Sequence, residues 1–219
     1  MSDNSSVDLA ALLCSRLCHD MLSPIGALNN GLELLADEHD PEMKAKVLEL
    51  LEQSARSSAD KLKFFRLAFG AAGGYGEMVE VAEPKAVIDA LIGENKRIAA
   101  NWALAEAKLP KDAVKVLLNL AHIAIDALIR GGTLDIGAEM RDGASEIVVR
   151  ASGPKLAFDE DIGHALQGEL DPAQLSGRTA PAHMLCLLAE QAGGGLQYQL
   201  SPDALVLGAV LPQPDGLIG

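Results

Sequence analysis

A histidine beside an acid, with a hydroxyl one helical turn further on, is the feature of this sequence most suggestive of chemistry. The residues are His19, Asp20 and Ser23, and Pro24 follows them directly. Residues four apart share a helix face, so a helix here would place the Ser23 hydroxyl beside the His19 ring. A neutral imidazole is a good nucleophile when its second nitrogen is held by a hydrogen bond, and Asp20 is the natural acceptor. The same carboxylate could also take up a proton during attack.

The apolar residues around this histidine predict the direction in which it points. They recur at spacings of three and four, which is typical of a buried helix seam, at Ala10, Cys14, Leu17, Met21, Ile25, Leu28, Leu32 and Leu35. His19 falls on the opposite side and is predicted to face solvent. Pro24 cannot donate the helical hydrogen bond to the Asp20 carbonyl, so we expect a kink there. From the spacing alone, the alternative that His19 is an exposed histidine with no chemical role stays open. The His-Asp-x-x-Ser-Pro pattern favours a reactive histidine.

Two long helices must position this site. The first is predicted to start at Ser5 or Ser6 and to end near Ala36, and the second to run from Pro41 to about Phe69. The second carries a heptad seam of Leu48, Leu51, Ala55, Ser58, Leu62, Phe65 and Phe69. An antiparallel hairpin cannot bury both stripes alone. We therefore predict a homodimer that completes a four-helix bundle, with cover by the C-terminal half as the alternative.

The rest of the chain predicts a second domain. The glycine-rich run 73–76 indicates a linker between a helical domain over 1–72 and a domain over 77–219. Helices are predicted over 84–93, 109–129 and 181–192, and strands over 77–82, 96–104, 133–140, 146–151, 196–200 and 204–211. The predicted fold class is α+β, with helices layered on a sheet.

Composition excludes several classes of partner. The formal net charge of −13 argues against a nucleic-acid or anionic membrane surface. No apolar run is long enough to span a bilayer and no signal peptide is evident. The three cysteines predict reduced thiols in a cytoplasmic protein. Cys14 and Cys18 lie near His19, but without further ligands nearby we predict packing residues and no metal site. Their role beyond that stays open.

The helix that carries His19 resembles the phosphoacceptor helix of a known family. The run from His19 to Pro24 resembles the H box of sensor histidine kinases, usually His-Glu-x-x-Thr-Pro, with conservative replacements of the acid and the hydroxyl. The longer run from Ser15 to Leu35 is similar to that of the ChpT-type histidine phosphotransferases of alphaproteobacteria. The resemblance covers nearly the whole chain. It implies dimerisation through the hairpin and a C-terminal α/β sandwich like the ATP-binding (Bergerat, or GHKL) domain of histidine kinases.

Two of the family's nucleotide-binding boxes are altered in this sequence. The run 118–124 resembles the N box, but Ile123 replaces the asparagine that coordinates Mg²⁺ in kinases, and an isoleucine offers no oxygen ligand. The run 149–155 resembles the next box, in which Ala151 replaces the aspartate that binds adenine and Lys155 replaces the second glycine.

The phosphate lid is altered as well. Its Gly-x-Gly falls at Thr179 and Pro181, and proline has no amide hydrogen to donate to a phosphate. The glycines at 193–195 follow a predicted helix and are interpreted as a cap and turn. The resemblance thus implies that the fold was kept and that ATP binding was lost.

A chain of this family that cannot bind ATP must receive phosphate from another protein. The resemblance implies that His19 takes a phosphoryl group from the aspartate of a receiver domain and passes it to a second receiver. It also implies a CckA-like hybrid kinase as donor and CtrA- and CpdR-like response regulators as acceptors, in cell-cycle control. Mg²⁺ would come from the receiver, so no cofactor of the chain's own is expected.

Residues around His19 are expected to bind the receiver, unless the C-terminal domain covers them. They share its side of the helix and are Leu12, Ser15, Arg16, Leu22, Ser23 and Gly26. Two other classes of function remain open. One is an active histidine kinase with an unusual nucleotide site, and the other is a non-catalytic adaptor that sequesters receivers. Phosphatase activity directed from Ser23 is a possible side function.

Overall fold

A computed structural model describes residues 3–70, 78–93 and 97–213 of this chain. The predicted linker at 73–76 and the predicted strand start at Glu77 lie outside the described residues. Within the described ranges, no helix combines the length and the apolar character needed to cross a membrane.

The N-terminal part is a hairpin of two long helices. Helix α1 spans Asp3–Asp37 and continues through Pro24, and helix α2 spans Pro41–Phe69. The cap predicted at Ser5 or Ser6 is wrong, because the helix has already begun at Asp3. The break before α2 is confirmed. There the Asp40 carboxylate accepts a hydrogen bond from the Glu42 amide at 3.1 Å, and Pro41 takes the first turn, where its missing N–H costs nothing.

The apolar stripe of each hairpin helix is divided between two faces. One face is buried within the chain and includes Met21 and Gly31 on α1 and Val47 on α2. The two helices are close there, since a β-carbon on Gly31 would lie 2.8 Å from the Leu51 side chain. The other face stays exposed in the single chain, at Cys18, Ile25, Leu32, Leu48, Ala55 and Leu62. The predicted seams are therefore only partly buried within one chain, because one neighbouring helix covers one side of a wide stripe.

The C-terminal part is an α+β domain, as predicted. Its helices are α3 (Ala82–Gly93), α4 (Lys111–Ala127), α5 (Glu160–Gln167) and α6 (Ala180–Gln191). Its strands are β1 (Met78–Glu80), β2 (Ile98–Leu104), β3 (Lys108–Pro110), β4 (Gly132–Arg141), β5 (Ala144–Ser152), β6 (Gly195–Leu200) and β7 (Ala204–Pro212). The five-stranded sheet has the order β2-β4-β5-β7-β6, with β2 parallel to β4 and the other pairs antiparallel. The short strands β1 and β3 pair separately.

Helix α4 is the centre of this domain. Along most of its length both its sheet-facing and its hairpin-facing sides are buried, and it packs on β5, on β7 and on α2. Two of the turns contain a glycine with a positive φ angle. Asp142 and Gly143 both have positive φ, at 49° and 77°, in the two-residue connection between β4 and β5. Gly193 has φ of 68° just after α6, which agrees with a cap and turn.

Sequence reasoning missed β3 and α5. Strand β3 has three residues, too few for a visible alternation, and its pairing with β1 is what makes it a strand. Helix α5 contains Gly163, which lowers helix propensity. The ring of Tyr198 on β6 packs directly on that glycine, so a β-carbon there would force the ring to move.

Candidate active site

His19 lies on the open side of α1, as predicted, and its side chain is 82% exposed. Its Nδ1 is 3.1 Å from Oδ1 of Asp20, so the adjacent acid does reach the ring. An ionised carboxylate only accepts hydrogen bonds, and Nδ1 must therefore carry the proton. In the neutral ring the lone pair is then on Nε2, which this contact leaves available to an incoming electrophile.

Asp20 is held in its ionised form by its neighbours. Burial by itself would raise the pKa of this carboxyl, but hydrogen bonds from Arg16 and His19 outweigh that effect, and the pKa is lowered. The contact with Arg16 is short, with Nε of Arg16 2.6 Å from the other carboxylate oxygen, Oδ2. A carboxylate with a lowered pKa is a weak base. The geometry thus favours Asp20 as the group that orients His19 over Asp20 as a proton acceptor.

The C-terminal domain reaches this site through α4. Nη2 of Arg16 is 3.3 Å from Oδ2 of Asp126, and Lys61 on α2 donates to the Asp20 carbonyl oxygen at 3.4 Å. The side chain of His122 also faces this region, with its ring 4.7 Å from that of Phe64, and burial lowers its pKa. A cavity of about 220 Å³ lies among these groups.

Sequence reasoning missed Lys61, His122 and Asp126 as members of the cluster around Arg16 and Asp20. His122 and Asp126 are four apart on α4, a spacing that indicates a common face of that helix. No pattern in the sequence connects that face with α1, more than a hundred residues earlier. The contact arises from the packing of two domains, which local periodicity does not report.

The residues expected to bind a receiver fall into two groups. Ser15, Leu22 and Ser23 are exposed around His19, and a β-carbon on Gly26 would meet no atom within 4 Å. Leu12 and Arg16 are partly buried instead. The loop before α6 lies against them, because a β-carbon on its Gly177 would be 3.7 Å from the Leu12 carbonyl oxygen. The open surface is thus formed by the exposed Ser15, Leu22 and Ser23, together with Gly26, which is partly buried but has open space where a side chain would lie. We call these four residues the Leu22 face.

Two of the altered nucleotide positions are buried in the domain core. Ile123 on α4 is 8% exposed and Ala151 on β5 is fully buried. Asn119, the first asparagine of the run that resembles the N box, donates from its amide to the Ala68 carbonyl at 3.2 Å and to the Lys115 carbonyl at 2.9 Å. It therefore ties α4 to the end of α2.

The remaining altered positions form a short turn and a loop. Thr179 accepts a hydrogen bond from the Ser176 amide at 3.0 Å, and Pro181 occupies the first turn of α6. Lys155 lies in an exposed loop. The cavity between Ile123, Pro181 and Arg16 has a volume of about 70 Å³. Small-molecule pockets are usually larger than roughly 300 Å³.

The described residues contain no group of three or more histidine, cysteine, aspartate or glutamate side chains that could hold a metal ion. The three cysteines are free thiols. Cys14 and Cys18 are exposed, so the packing role predicted for them is not met within a single chain.

Comparisons with known proteins identify related sequences and a related fold. The family model described as "histidine phosphotransferase C-terminal domain" matches residues 81–204. The protein phosphotransferase ChpT of Brucella abortus (strain 2308) is 34% identical over 205 residues, which cover 94% of this chain and 96% of that protein. A solved structure described as a bacterial phosphotransferase aligns with a TM-score of 0.80 and 34% identity, over 95% of this chain and 97% of that one. The similarities to ChpT and to the solved structure extend over both the hairpin and the sheet domain, whereas the family model matches the sheet domain.

Proposed function

Because this chain belongs to the family of histidine phosphotransferases that includes ChpT, we propose that it relays phosphoryl groups between receiver domains through phospho-His19. The proposal depends chiefly on one observation. His19 is exposed, its Nδ1 is bound by Asp20, and its Nε2 is left as the nucleophile.

The reaction follows from this tautomer. The Nε2 lone pair forms a bond to the phosphorus of an aspartyl phosphate, and the P–O bond to the donor carboxylate breaks with its electron pair on that carboxylate. The ring becomes a cation that keeps its proton on Nδ1. Asp20 stabilises the new positive charge through the hydrogen bond already present. Attack by a second receiver's aspartate on the phosphohistidine reverses these steps, and no proton has to leave His19.

The same proposal assigns the phosphate donor. Ile123 in place of a Mg²⁺ ligand, Pro181 in place of a lid glycine and the cavity of about 70 Å³ between them support a receiver's aspartyl phosphate as donor, not ATP. Mg²⁺ would be supplied by the receiver, and this chain would contribute the positioned nucleophile. We further propose a CckA-like donor, CtrA- and CpdR-like acceptors, and a homodimer formed through the hairpin.

The test determines whether the phosphate comes from ATP or from a receiver domain. The purified chain is incubated with [γ-³²P]ATP and, separately, with a ³²P-phosphorylated receiver domain. Label is expected from the receiver alone, and it should be stable in alkali and lost in acid, as a phosphorus–nitrogen bond requires. Label from ATP would identify a kinase. Receiver binding with no label from either source would identify an adaptor.

Replacing Asp20 by asparagine is expected to slow phosphate transfer from the receiver about 10- to 100-fold. Asparagine keeps the size of the side chain but loses the charge that holds Arg16 and stabilises the ring cation. Rapid-quench measurement of single-turnover transfer gives the rate. Asp8→Asn, a charge-matched change at an exposed position of the same helix, should leave that rate unchanged. Equal rates in wild type and Asp20→Asn would contradict the orienting role.

Replacing Leu22 by glutamate is expected to raise the half-saturating receiver concentration about 10-fold or more. Leu22 is 69% exposed in the middle of the Leu22 face, so a charge there should disturb docking without unfolding the chain. Leu34→Glu is the matched control, because Leu34 is 59% exposed on the same helix, far from His19. Transfer kinetics for Leu22→Glu that equal those for Leu34→Glu would rule out docking on this face.

A further inference from the structure

Four side chains form a continuous series of contacts from α4 to the reacting histidine. Oδ2 of Asp126 is 3.3 Å from Nη2 of Arg16, and Nε of the same guanidinium is 2.6 Å from Oδ2 of Asp20. The other oxygen of Asp20 is 3.1 Å from Nδ1 of His19. One guanidinium is thus held by two carboxylates, one from each domain.

We propose that Asp126 is a positioning residue for phosphotransfer, which acts on His19 through Arg16 and Asp20. The inference rests on the function proposed above and adds a residue to it. Asp126 has no contact of its own with His19 among those described. Its effect is to fix the guanidinium, which in turn keeps Asp20 in the rotamer that binds Nδ1.

The flexibility of arginine is the reason that a second anchor matters. Its side chain has several rotatable bonds, and ordering it costs more conformational entropy than ordering most other side chains. The guanidinium is planar, so binding its Nη end to Asp126 also sets the direction in which Nε points. Without Asp126 the Nη end would bind water, and Arg16 would sample other rotamers. Asp20 would then lose its 2.6 Å partner for part of the time and be freer to turn away from His19.

The other charged groups at this place do not substitute for Asp126. Lys61 binds the backbone carbonyl of Asp20 and not its carboxylate. His122, one turn before Asp126 on α4, packs against Phe64. Within the described ranges, Asp20 and Asp126 are the carboxylates that the guanidinium of Arg16 contacts.

The position of α4 is itself fixed by contacts that the hairpin makes elsewhere. Asn119 binds the Ala68 carbonyl at the end of α2, and the loop with Gly177 lies against α1. These contacts hold Asp126 within reach of Arg16. The C-terminal domain therefore contributes to the state of the reacting histidine in addition to any surface it offers a partner.

The test measures His19 without any protein partner. Phosphoramidate donates to an imidazole directly, because Nε2 attacks the phosphorus, the P–N bond breaks, and ammonia leaves. Asp126→Asn should slow this labelling about two- to fivefold. It should also lower the fraction of His19 in the Nδ1–H tautomer, as read from long-range ¹H–¹⁵N correlation spectra. Asp126→Glu should retain much of both properties.

A matched control lies on the same helix. Asp112 has a side chain 62% exposed against 56% for Asp126, and its ion pair, at 3.6 Å, is with Lys115 of α4 itself. Asp112→Asn should change neither rate nor tautomer. An Asp126→Asn protein with the wild-type tautomer fraction and the wild-type phosphoramidate rate would overturn the proposal, even if its transfer from receivers were slow, because Asp126 would then act in docking. A tautomer shift in a chain that takes no phosphate from a receiver would uphold the positioning role and defeat only the proposed function.

Discussion

A His19→Gln chain is expected to accept no phosphate from a phosphorylated receiver, with the rate reduced more than about 1,000-fold. Glutamine retains a planar polar group of similar reach, but its amide nitrogen is not a nucleophile, since the lone pair is delocalised into the carbonyl. The His19 side chain is 82% exposed, so its replacement should cost little stability. The measurement is the transfer of ³²P from a labelled receiver, quenched over a time course and resolved by electrophoresis.

The control for this variant is another exposed histidine. His39 lies in the turn between α1 and α2, and His39→Gln should transfer at the wild-type rate. Affinity for the unphosphorylated receiver should stay within a few-fold of wild type in both variants, which separates chemistry from docking. Substantial labelling of His19→Gln would show that another residue is the phosphoacceptor, and it would contradict the roles proposed for Asp20 and Asp126.

The parts of this site that local sequence encodes could be predicted. His19 and Asp20 are neighbours on one helix, so their contact needs only the right rotamers, and the exposure of the ring follows from the seam behind it. Arg16 is also local, four residues before Asp20, but sequence reasoning placed it on the docking face. Its true direction depends on Asp126, which packing between the domains brings to α1.

In the fold, as in the site, local sequence predicts some parts and tertiary packing decides the others. The hairpin boundaries near Asp37, Pro41 and Phe69 are set by proline and capping chemistry and were predicted within a residue or so. Strands β4 and β5 follow from alternation on either side of an Asp-Gly turn. Strand β3 exists because β1 pairs with it, and the helical pattern of α5 is interrupted by Gly163, on which the Tyr198 ring packs. Tertiary partners decide these two elements, and a local pattern does not contain them.

The exposed face of the hairpin has the spacing of an interface. On α1 it is formed by Cys18, Ile25 and Leu32, and on α2 by Leu48, Ala55 and Leu62, each set seven residues apart. A seven-residue repeat on neighbouring helices is the pattern that packs against further helices in a bundle. A single chain leaves this face in water, and a second copy related by two-fold symmetry would cover it. This spacing supports the proposed homodimer.

The double variant Leu48→Glu, Leu62→Glu is therefore expected to convert the proposed dimer into a monomer. The two leucines are 53% and 51% exposed in the single chain, and burying the exposed half of one stabilises by about 1 kcal/mol. Two-fold symmetry makes each substitution act twice and adds like charges across the axis, so the dimer dissociation constant should rise more than about 1,000-fold. Light scattering coupled to size-exclusion chromatography, over a dilution series, gives the mass directly.

Leu50→Glu isolates the effect of position from that of charge. Leu50 is 44% exposed on the same helix but lies off the seven-residue repeat, so this variant should keep the mass of the wild type. The helical signal of the double variant should also be kept, because Leu48 and Leu62 are outside the buried face at Val47, Ser54 and Phe65 that holds α2 to the rest of the chain. A wild type that is monomeric at micromolar concentration, or a double variant that stays dimeric, would contradict a dimer formed through this face.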